Sequence, residues 1–134
     1  MVPELEPHTE AGERFVAIAE ERAPTFRSRA AAHDREGSFP VENFEELKKS
    51  GALAAFVPEE LGGLGLESVH DWAVGLERFG RGDASTAIAL NMHLAVSRLL
   101  ATSWRAARSG NDSATTARNE GVLRAIGLIE GAFR

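Results

Sequence analysis

The chain of 134 residues contains no cysteine and no tyrosine. Without cysteine it can form no disulfide, thiolate nucleophile or cysteine-ligated metal site, and it suits a reducing compartment, so we expect a cytoplasmic protein. Segments with the alternation and the β-branched enrichment that are typical of strands are also scarce. The sequence therefore favours an all-α fold.

Basic clusters and uninterrupted apolar runs are missing as well. The net charge is −5, and no stretch interleaves Lys or Arg with aromatic residues, so we expect no nucleic-acid partner. The most apolar stretch, Ala84 to Ala101, is long enough for a membrane span but contains Asn91, His93 and Arg98, which lipid disfavours. We predict a buried helix there, and no membrane partner.

Helical periodicity predicts an up-and-down helical bundle of about five helices. The predicted helices cover residues 9–33, 41–50, 67–79, 83 or 85 to 104, and 117–129. We expect residues 1–8 to be disordered, so that one helical domain occupies residues 9–134. Thr9 is placed to cap the first helix, and Pro24 should kink or break it near Ala23. Gly51 fits the left-handed position that ends the second.

The segments around the third helix give more local expectations. Ser68 and Asp71 resemble a capping box at its start, and Gly80 to Gly82 should end it. Its predicted apolar face comprises Val69, Trp72, Ala73, Leu76 and Phe79. Residues 52–58 read as an extended apolar segment, residues 61–66 as a glycine turn, and residues 105–116 as a loop or frayed helix end.

Residues with catalytic or metal-binding spacing are not evident. The four histidines do not pair with each other or with carboxylates at metal-binding intervals, so we predict no metal site. Gly62 to Gly65 lacks the lysine of a phosphate loop and follows two glutamates, which favours a simple turn. Considered alone, the residues predict a helical bundle without catalytic residues of its own.

Three consecutive blocks nevertheless resemble the acyl-CoA dehydrogenase family. They are His33 to Pro40 (HDREGSFP), Leu47 to Leu53 with Phe56 to Leu66 (LKKSGAL and FVPEELGGLGL), and Glu77 to Ala87 (ERFGRGDASTA), which continues to His93. Their order and spacing match over residues 33–93, and the VPEELGGLG string is the most specific. The resemblance implies the first of three domains, followed by a β-domain and a second helical bundle.

The resemblance also implies an activity: FAD-dependent oxidation of a CH–CH group in an acyl-CoA or other small-molecule substrate. In this family the later domains supply most of the flavin site and the carboxylate base, and the enzymes form homo-oligomers. We therefore expect the full-length protein to bind FAD, and this chain alone to bind it only weakly. The amino-terminal half of the fourth helix should form one wall of the substrate pocket, with Ser85, Thr86, Ala89 and His93 as candidate contacts.

One segment departs from the family pattern and keeps two alternatives open. Where many dehydrogenases carry an acidic-Gln-Lys segment and Tyr-Leu-Pro, this sequence has WRAARSGND from Trp104 to Asp112. In this segment the sequence resembles a divergent branch of the family that includes flavin-dependent monooxygenases. The other alternative is a stand-alone helical binding or scaffold module without catalysis. Local packing also remains an alternative for the four candidates, with Ser85 as a helix cap and His93 as a hydrogen-bonded core residue.

Overall fold

The computed structural model describes residues 2–131, and side chains as far as residue 127. It contains five α-helices and two short 3₁₀ turns, and no strand occurs in this part of the chain. The helices are α1 (Glu10–Glu36), α2 (Val41–Ser50), α3 (Val69–Gly82), α4 (Ala84–Ser109) and α5 (Ser113–Gly131). The predicted all-α fold is confirmed. Among the described residues, no helix combines the length and the apolarity needed to cross a bilayer.

The described chain divides into two compact units. Residues 2–46 and 68–91 form the first unit, which contains α1, α3, most of α2 and the start of α4. Residues 47–67 and 92–131 form the second unit, which contains the rest of α4, α5 and both 3₁₀ turns.

The first unit is built on close packing between α1 and α3. The rings of Phe15, Phe26 and Phe79 are completely buried, with Phe15 and Phe26 lying 5.6 and 6.3 Å from Phe79 between centroids. Two glycines of α3 permit this contact. A Cβ on Gly75 would lie 2.3 Å from the Phe15 ring, and one on Gly82 would lie 2.5 Å from the Ala23 carbonyl oxygen. Helices α1 and α3 therefore contact each other at glycine positions of α3, which carry no side chain.

The predicted apolar face of α3 is wrong for two of its five members. Phe79 is buried, but Val69 is 52% exposed and Ala73 is also exposed. The buried positions instead include Val74, Gly75 and Arg78. The error arises because a hydrophobicity pattern does not predict burial for glycine, whereas close helix packing favours glycine here.

The helix ends in the first unit follow the sequence in part. The Thr9 hydroxyl accepts the Gly12 N–H at 3.0 Å, so the predicted cap is confirmed. The predicted break does not occur: α1 continues through Pro24 to Glu36, and Gly37 ends it with φ of 62°. A proline removes one backbone donor, which a long, well-packed helix tolerates. Helix α3 ends at Gly82, within the predicted stop at Gly80 to Gly82.

In the second unit, the segment that follows α2 is compact where the sequence predicted an extended path. Ala52–Ala54 forms a 3₁₀ turn, and the Ala55 N–H continues it by donating to the Ala52 carbonyl at 3.2 Å. The predicted glycine conformations are confirmed, because Gly51, Gly62 and Gly65 all have positive φ. The core of this unit consists of buried residues from several segments: Ala54, Val57, Leu61, Ala101, Trp104 and Leu123.

The predicted loop at residues 105–116 is mostly helical. Helix α4 continues to Ser109 and α5 begins at Ser113. Asp112 accepts the Thr115 N–H at 3.1 Å, which satisfies a donor at the start of α5. Arg108 lies 4.5 Å above the centre of the Trp104 ring. Polar residues that read as a loop thus occupy the exposed face of a helix. The side chain of Ile129, part of the predicted last helix, lies outside the described set.

Candidate functional site

The amino-terminal half of α4 carries the four residues that the family resemblance singled out. Thr86 is completely buried in the first unit. Its hydroxyl donates to Asp83 Oδ2 at 2.5 Å and accepts from Asn43 Nδ2 at 2.9 Å. Asn43 in turn accepts a hydrogen bond from Arg29 at 2.8 Å. Thr86 therefore joins the start of α4 to α2 and α1, and its hydroxyl is occupied in this structure.

Ser85 is exposed at the first turn of α4. Its backbone N–H donates to Asp83 Oδ1 at 3.3 Å, so Asp83, and not Ser85, provides the cap. Ser85 lines a cavity of about 510 Å³ in the first unit. The polar groups that share this cavity include His33, Asp34, Ser38 and Asp83.

Ala89 is half-buried, also in the first unit. Its neighbour Ile88 is 66% exposed. Farther along α4, in the second unit, Met92, Val96 and Leu99 are exposed by 66, 58 and 69%. The sequence suggested a helix that is buried on every side, whereas the structure leaves these apolar side chains uncovered in this chain.

His93 is half-buried in the second unit. Its Nε2 atom lies 2.7 Å from the carbonyl oxygen of Leu53, which belongs to the 3₁₀ turn after α2. Ser97, one helical turn later, places its hydroxyl oxygen 3.4 Å from the same nitrogen. The expectation that His93 is hydrogen-bonded is therefore met at Nε2, the nitrogen at which the described residues provide partners.

The structure brings together one group of residues that sequence spacing missed. His8 and His70 stack with ring centroids 4.0 Å apart and an angle of 12° between their planes. With Asp71 they place three possible metal-ligand atoms within 4.8 Å of one another. Asp71 was expected to complete a capping box with Ser68, but its carboxylate serves α1 instead. It accepts from the backbone N–H groups of His8 and Thr9 at 2.8 and 3.0 Å, and from the Thr9 hydroxyl at 2.5 Å.

These hydrogen bonds explain the cluster without a metal. Both Asp71 oxygens already accept hydrogen bonds, and parallel stacked imidazoles do not direct their in-plane lone pairs to one point. Burial alone would raise the pKa of Asp71, but the hydrogen bonds from Thr9 and His8 outweigh burial and lower the pKa below its usual value. The cluster is a carboxylate clamp on the amino-terminal end of α1.

The clamp extends to the segment that precedes α1, where the sequence suggested disorder. His70 Nε2 lies 2.9 Å from the Glu6 carbonyl oxygen. Arg78, which is 2% exposed, forms a hydrogen bond with the Leu5 carbonyl and an ion pair with Glu4 at 3.6 Å. Three successive backbone or side-chain contacts therefore hold this segment against α3. Only tertiary structure reveals them, because the partners are more than 60 positions apart.

A second hydrogen-bonded array lies at the junction of α1 and α2. The Ser38 hydroxyl is 2.7 Å from His33 Nδ1, and His33 Nε2 is 3.2 Å from a carboxylate oxygen of Glu42. This order of groups resembles a nucleophile, base and orienting acid. Ser38 and Glu42 are exposed, and the Ser38 hydroxyl also donates to a Glu36 carboxylate oxygen at 3.4 Å, so its proton is not committed to His33. The array stabilises the turn between the helices.

Comparison with known proteins matches residues 7–106 to the family model described as "Acyl-CoA dehydrogenase, N-terminal domain". The amino sugar nitrososynthase DnmZ of Streptomyces peucetius is 38% identical over 96% of this chain and 31% of its own length. The putative acyl-CoA dehydrogenase YdbM of Bacillus subtilis is 39% identical over 63% of this chain and 21% of its own length.

A solved structure is similar over nearly the whole chain. The structure of KijD3 in complex with FMN and dTDP-3-amino-2,3,6-trideoxy-4-keto-3-methyl-D-glucose is 40% identical, with a TM-score of 0.83, over 92% of this chain and 30% of that one. A flavin is thus bound by a relative of this fold, as the resemblance implied, although the flavin there is FMN. The chain spans about a third of the length of DnmZ and KijD3. On its matched residues and its helices, this chain belongs to the acyl-CoA dehydrogenase family, as the N-terminal domain of that fold.

Proposed function

We propose that this chain is the N-terminal domain of a flavin-dependent enzyme that oxidises the amino group of a nucleotide-linked sugar. One observation carries the proposal: the alignment to DnmZ leaves out only six residues, so it includes most of α5. The alignment to the putative dehydrogenase covers less than two thirds of the chain. The region that departs from the dehydrogenase pattern is therefore shared with a nitrososynthase.

The alternative is the dehydrogenase activity of the same fold, which oxidises the CH–CH bond of an acyl-CoA with FAD. The family model and the B. subtilis relative favour it. In either case a bound flavin would supply the redox chemistry. This chain would supply part of the wall of the substrate pocket. The proposal also includes the remaining domains, a homo-oligomeric assembly and a cytoplasmic location.

The structure suggests separate tasks for the four α4 residues within that wall. Ser85 and Ala89 have accessible surface, and the small side chain of Ala89 leaves room for a substrate. Thr86 acts indirectly, by fixing the start of α4 through Asp83 and Asn43. His93 has one nitrogen bound to Leu53 and the rest of its ring half-buried. The proposed contacts are Ser85, Ala89 and His93, with Thr86 as a positioning residue.

Domain exchange tests this proposal. The chain would replace the matching segment of DnmZ in one chimera and that of YdbM in another. We expect the DnmZ chimera to consume oxygen with a nucleotide-linked amino sugar and reduced flavin, and the YdbM chimera to show little dehydrogenation of an acyl-CoA. The reverse result, activity only in the YdbM chimera, would favour the dehydrogenase alternative. Two folded, flavin-loaded but inactive chimeras would favour the scaffold alternative.

An Ala89→Phe variant of the DnmZ chimera tests the wall itself. If Ala89 borders the substrate, the larger side chain should raise KM for the amino sugar and leave flavin content and melting temperature unchanged. If Ala89 is only a packing residue, the substitution should overpack its surroundings and cost about 1–3 kcal/mol of stability. Lost stability with an unaltered KM would remove Ala89 from the proposed site.

A further inference from the structure

The hydrogen bonds of His93 determine which of its nitrogens carries a proton. The Leu53 carbonyl, 2.7 Å from Nε2, has no hydrogen to give. A carbonyl oxygen only accepts, so Nε2 must be the donor. In the neutral imidazole the other nitrogen, Nδ1, then has the free lone pair.

Ser97 supports the same assignment independently. Its hydroxyl donates to the His93 backbone carbonyl at 2.9 Å, in the usual i to i−4 pattern of a helical serine. A hydroxyl has one hydrogen, so the oxygen 3.4 Å from Nε2 presents a lone pair to it. Ser97 is 1% exposed, which keeps water from competing for this arrangement. Two acceptors therefore surround Nε2.

Nδ1 has no hydrogen-bond partner within the part of the chain that the structure describes, and the ring is half-buried. The Leu53 carbonyl fixes the orientation of the half-buried ring through Nε2. Nδ1 is therefore held as an oriented hydrogen-bond acceptor. We propose that His93 uses Nδ1 as a general base that removes a proton from the ammonium group of the substrate. This inference rests on the proposed function, because it takes the substrate to be an amine.

The proton transfer is balanced within the site. One N–H bond of the R–NH₃⁺ group breaks, a new Nδ1–H bond forms, and the amine keeps the electron pair that makes it a nucleophile. The resulting imidazolium keeps its Nε2–H bond to the Leu53 carbonyl. Because His93 is only half-buried, the proton can then pass to solvent. An amine must be neutral before its nitrogen can be oxidised, so the step precedes oxidation.

A matched substitution separates this role from a structural one. In His93→Gln the amide nitrogen can replace Nε2 as donor to Leu53, but nothing replaces Nδ1. We expect the DnmZ chimera carrying His93→Gln to keep its melting temperature and flavin content. Its kcat/KM near neutral pH should fall about 10²-fold, the usual contribution of a general base. The loss should shrink as pH rises and the substrate amine deprotonates in solution.

The control is His8→Gln, which removes an imidazole far from α4 in sequence and should leave the pH profile of kcat/KM unchanged. An unchanged profile in His93→Gln would overturn the base role. So would a loss that stays constant at every pH, since this would indicate a purely positional effect.

Nitrogen NMR of the chain tests the tautomer without any assay of activity. Long-range ¹H–¹⁵N correlations of His93 should show protonated Nε2 and unprotonated Nδ1 in the neutral ring. A protonated Nδ1 would overturn the inference directly. If the NMR result agrees but the chimera oxidises no amine, the proposed function fails, and the base role fails with it, while the oriented Nδ1 acceptor stands. The two failures are therefore distinguishable.

Discussion

The two compact units of this chain achieve burial by different means. In the first unit, α1 and α3 approach closely enough that Gly75 and Gly82 have no space for a Cβ, and phenylalanine rings fill the rest. In the second unit, short turns and aliphatic residues surround Trp104, and α5 contains Gly121, around which nothing lies within 4 Å of a Cβ. The comparison teaches that glycine is a packing requirement at positions 75 and 82 of α3, whereas within α5 it is a packing requirement at Gly127, where a Cβ would lie 2.8 Å from the Leu61 carbonyl oxygen, and only a cost to the helix at Gly121.

The largest expected effect comes from exchanging these glycines for alanine. Gly82→Ala places a Cβ against the Ala23 backbone, which cannot move as a side chain does, so the free energy of unfolding should fall by about 3 kcal/mol. Gly121→Ala should raise it by about 1 kcal/mol, because alanine favours the helix and meets no obstacle. Urea unfolding of both variants measures the contrast. Equal effects of the same sign would remove the proposed difference between the two glycines.

The next effect concerns the Asp71 clamp in the first unit. Asp71→Asn should lower the free energy of unfolding by about 2 kcal/mol near neutral pH, because hydrogen bonds to a buried carboxylate weaken. Because the folded-state pKa of Asp71 is lowered, its contribution is present above the unfolded pKa of about 4 and is lost as pH falls through the folded pKa. The difference between wild type and variant should therefore shrink below about pH 4.

Asp34→Asn is the control for the clamp, since Asp34 is an exposed carboxylate in the same unit. Its unfolding free energy should stay within about 0.5 kcal/mol of wild type at each pH. A penalty for Asp71→Asn that persists unchanged to pH 2 would mean that shape, and not charge, accounts for the clamp.

A smaller effect is expected at His93 in the second unit. His93→Ala leaves the Leu53 carbonyl without its donor and should cost about 1 kcal/mol, measured by thermal unfolding. His93→Gln should recover most of that loss, because its amide can donate to the same oxygen. If both variants are equally destabilised, ring packing and not the hydrogen bond is what His93 contributes to stability.

The smallest effect on stability, and a visible effect on association, is expected at Leu99. It is 69% exposed, so Leu99→Ser should change the free energy of unfolding by less than about 0.5 kcal/mol. The chain with its uncovered apolar side chains should self-associate, and this variant should do so less. Val2→Ser, at a residue 90% exposed in the amino-terminal segment, is the matched change. Light scattering that finds the wild-type chain monomeric at high concentration would contradict the expectation.

Local signals in the sequence predicted what local physics determines. Five helices, the Thr9 cap and the left-handed glycines at 51, 62 and 65 all follow from residue preferences within a few positions. The polar segment after Trp104 was misread because a helix with an exposed face needs few apolar residues. The blocks that carried the family resemblance were specific enough to identify the family from the sequence alone.

Features that depend on distant partners were not predictable in the same way. The buried face of α3 was predicted only in part, because glycine at positions 75 and 82 indicates contact only when α1 is present. Asp71 looked like a cap for its own helix, since nothing local reveals that its partners are His8 and Thr9. For His93, the sequence predicted a hydrogen bond but not which nitrogen makes it, and that detail carries the proposed chemistry.

The Asp71 clamp also bears on how the first unit folds. Helix ends normally fray, because the first amide groups have no partner within the helix. Here His8 and the capping residue Thr9, which immediately precede α1, donate to a carboxylate that becomes available only when α3 is in place. The Thr9 cap of α1 therefore cannot be fully fixed early in folding, because it must wait for a contact with Asp71 that closes a loop of about 60 residues. Local helix formation and long-range closure are thus joined in a single cooperative step.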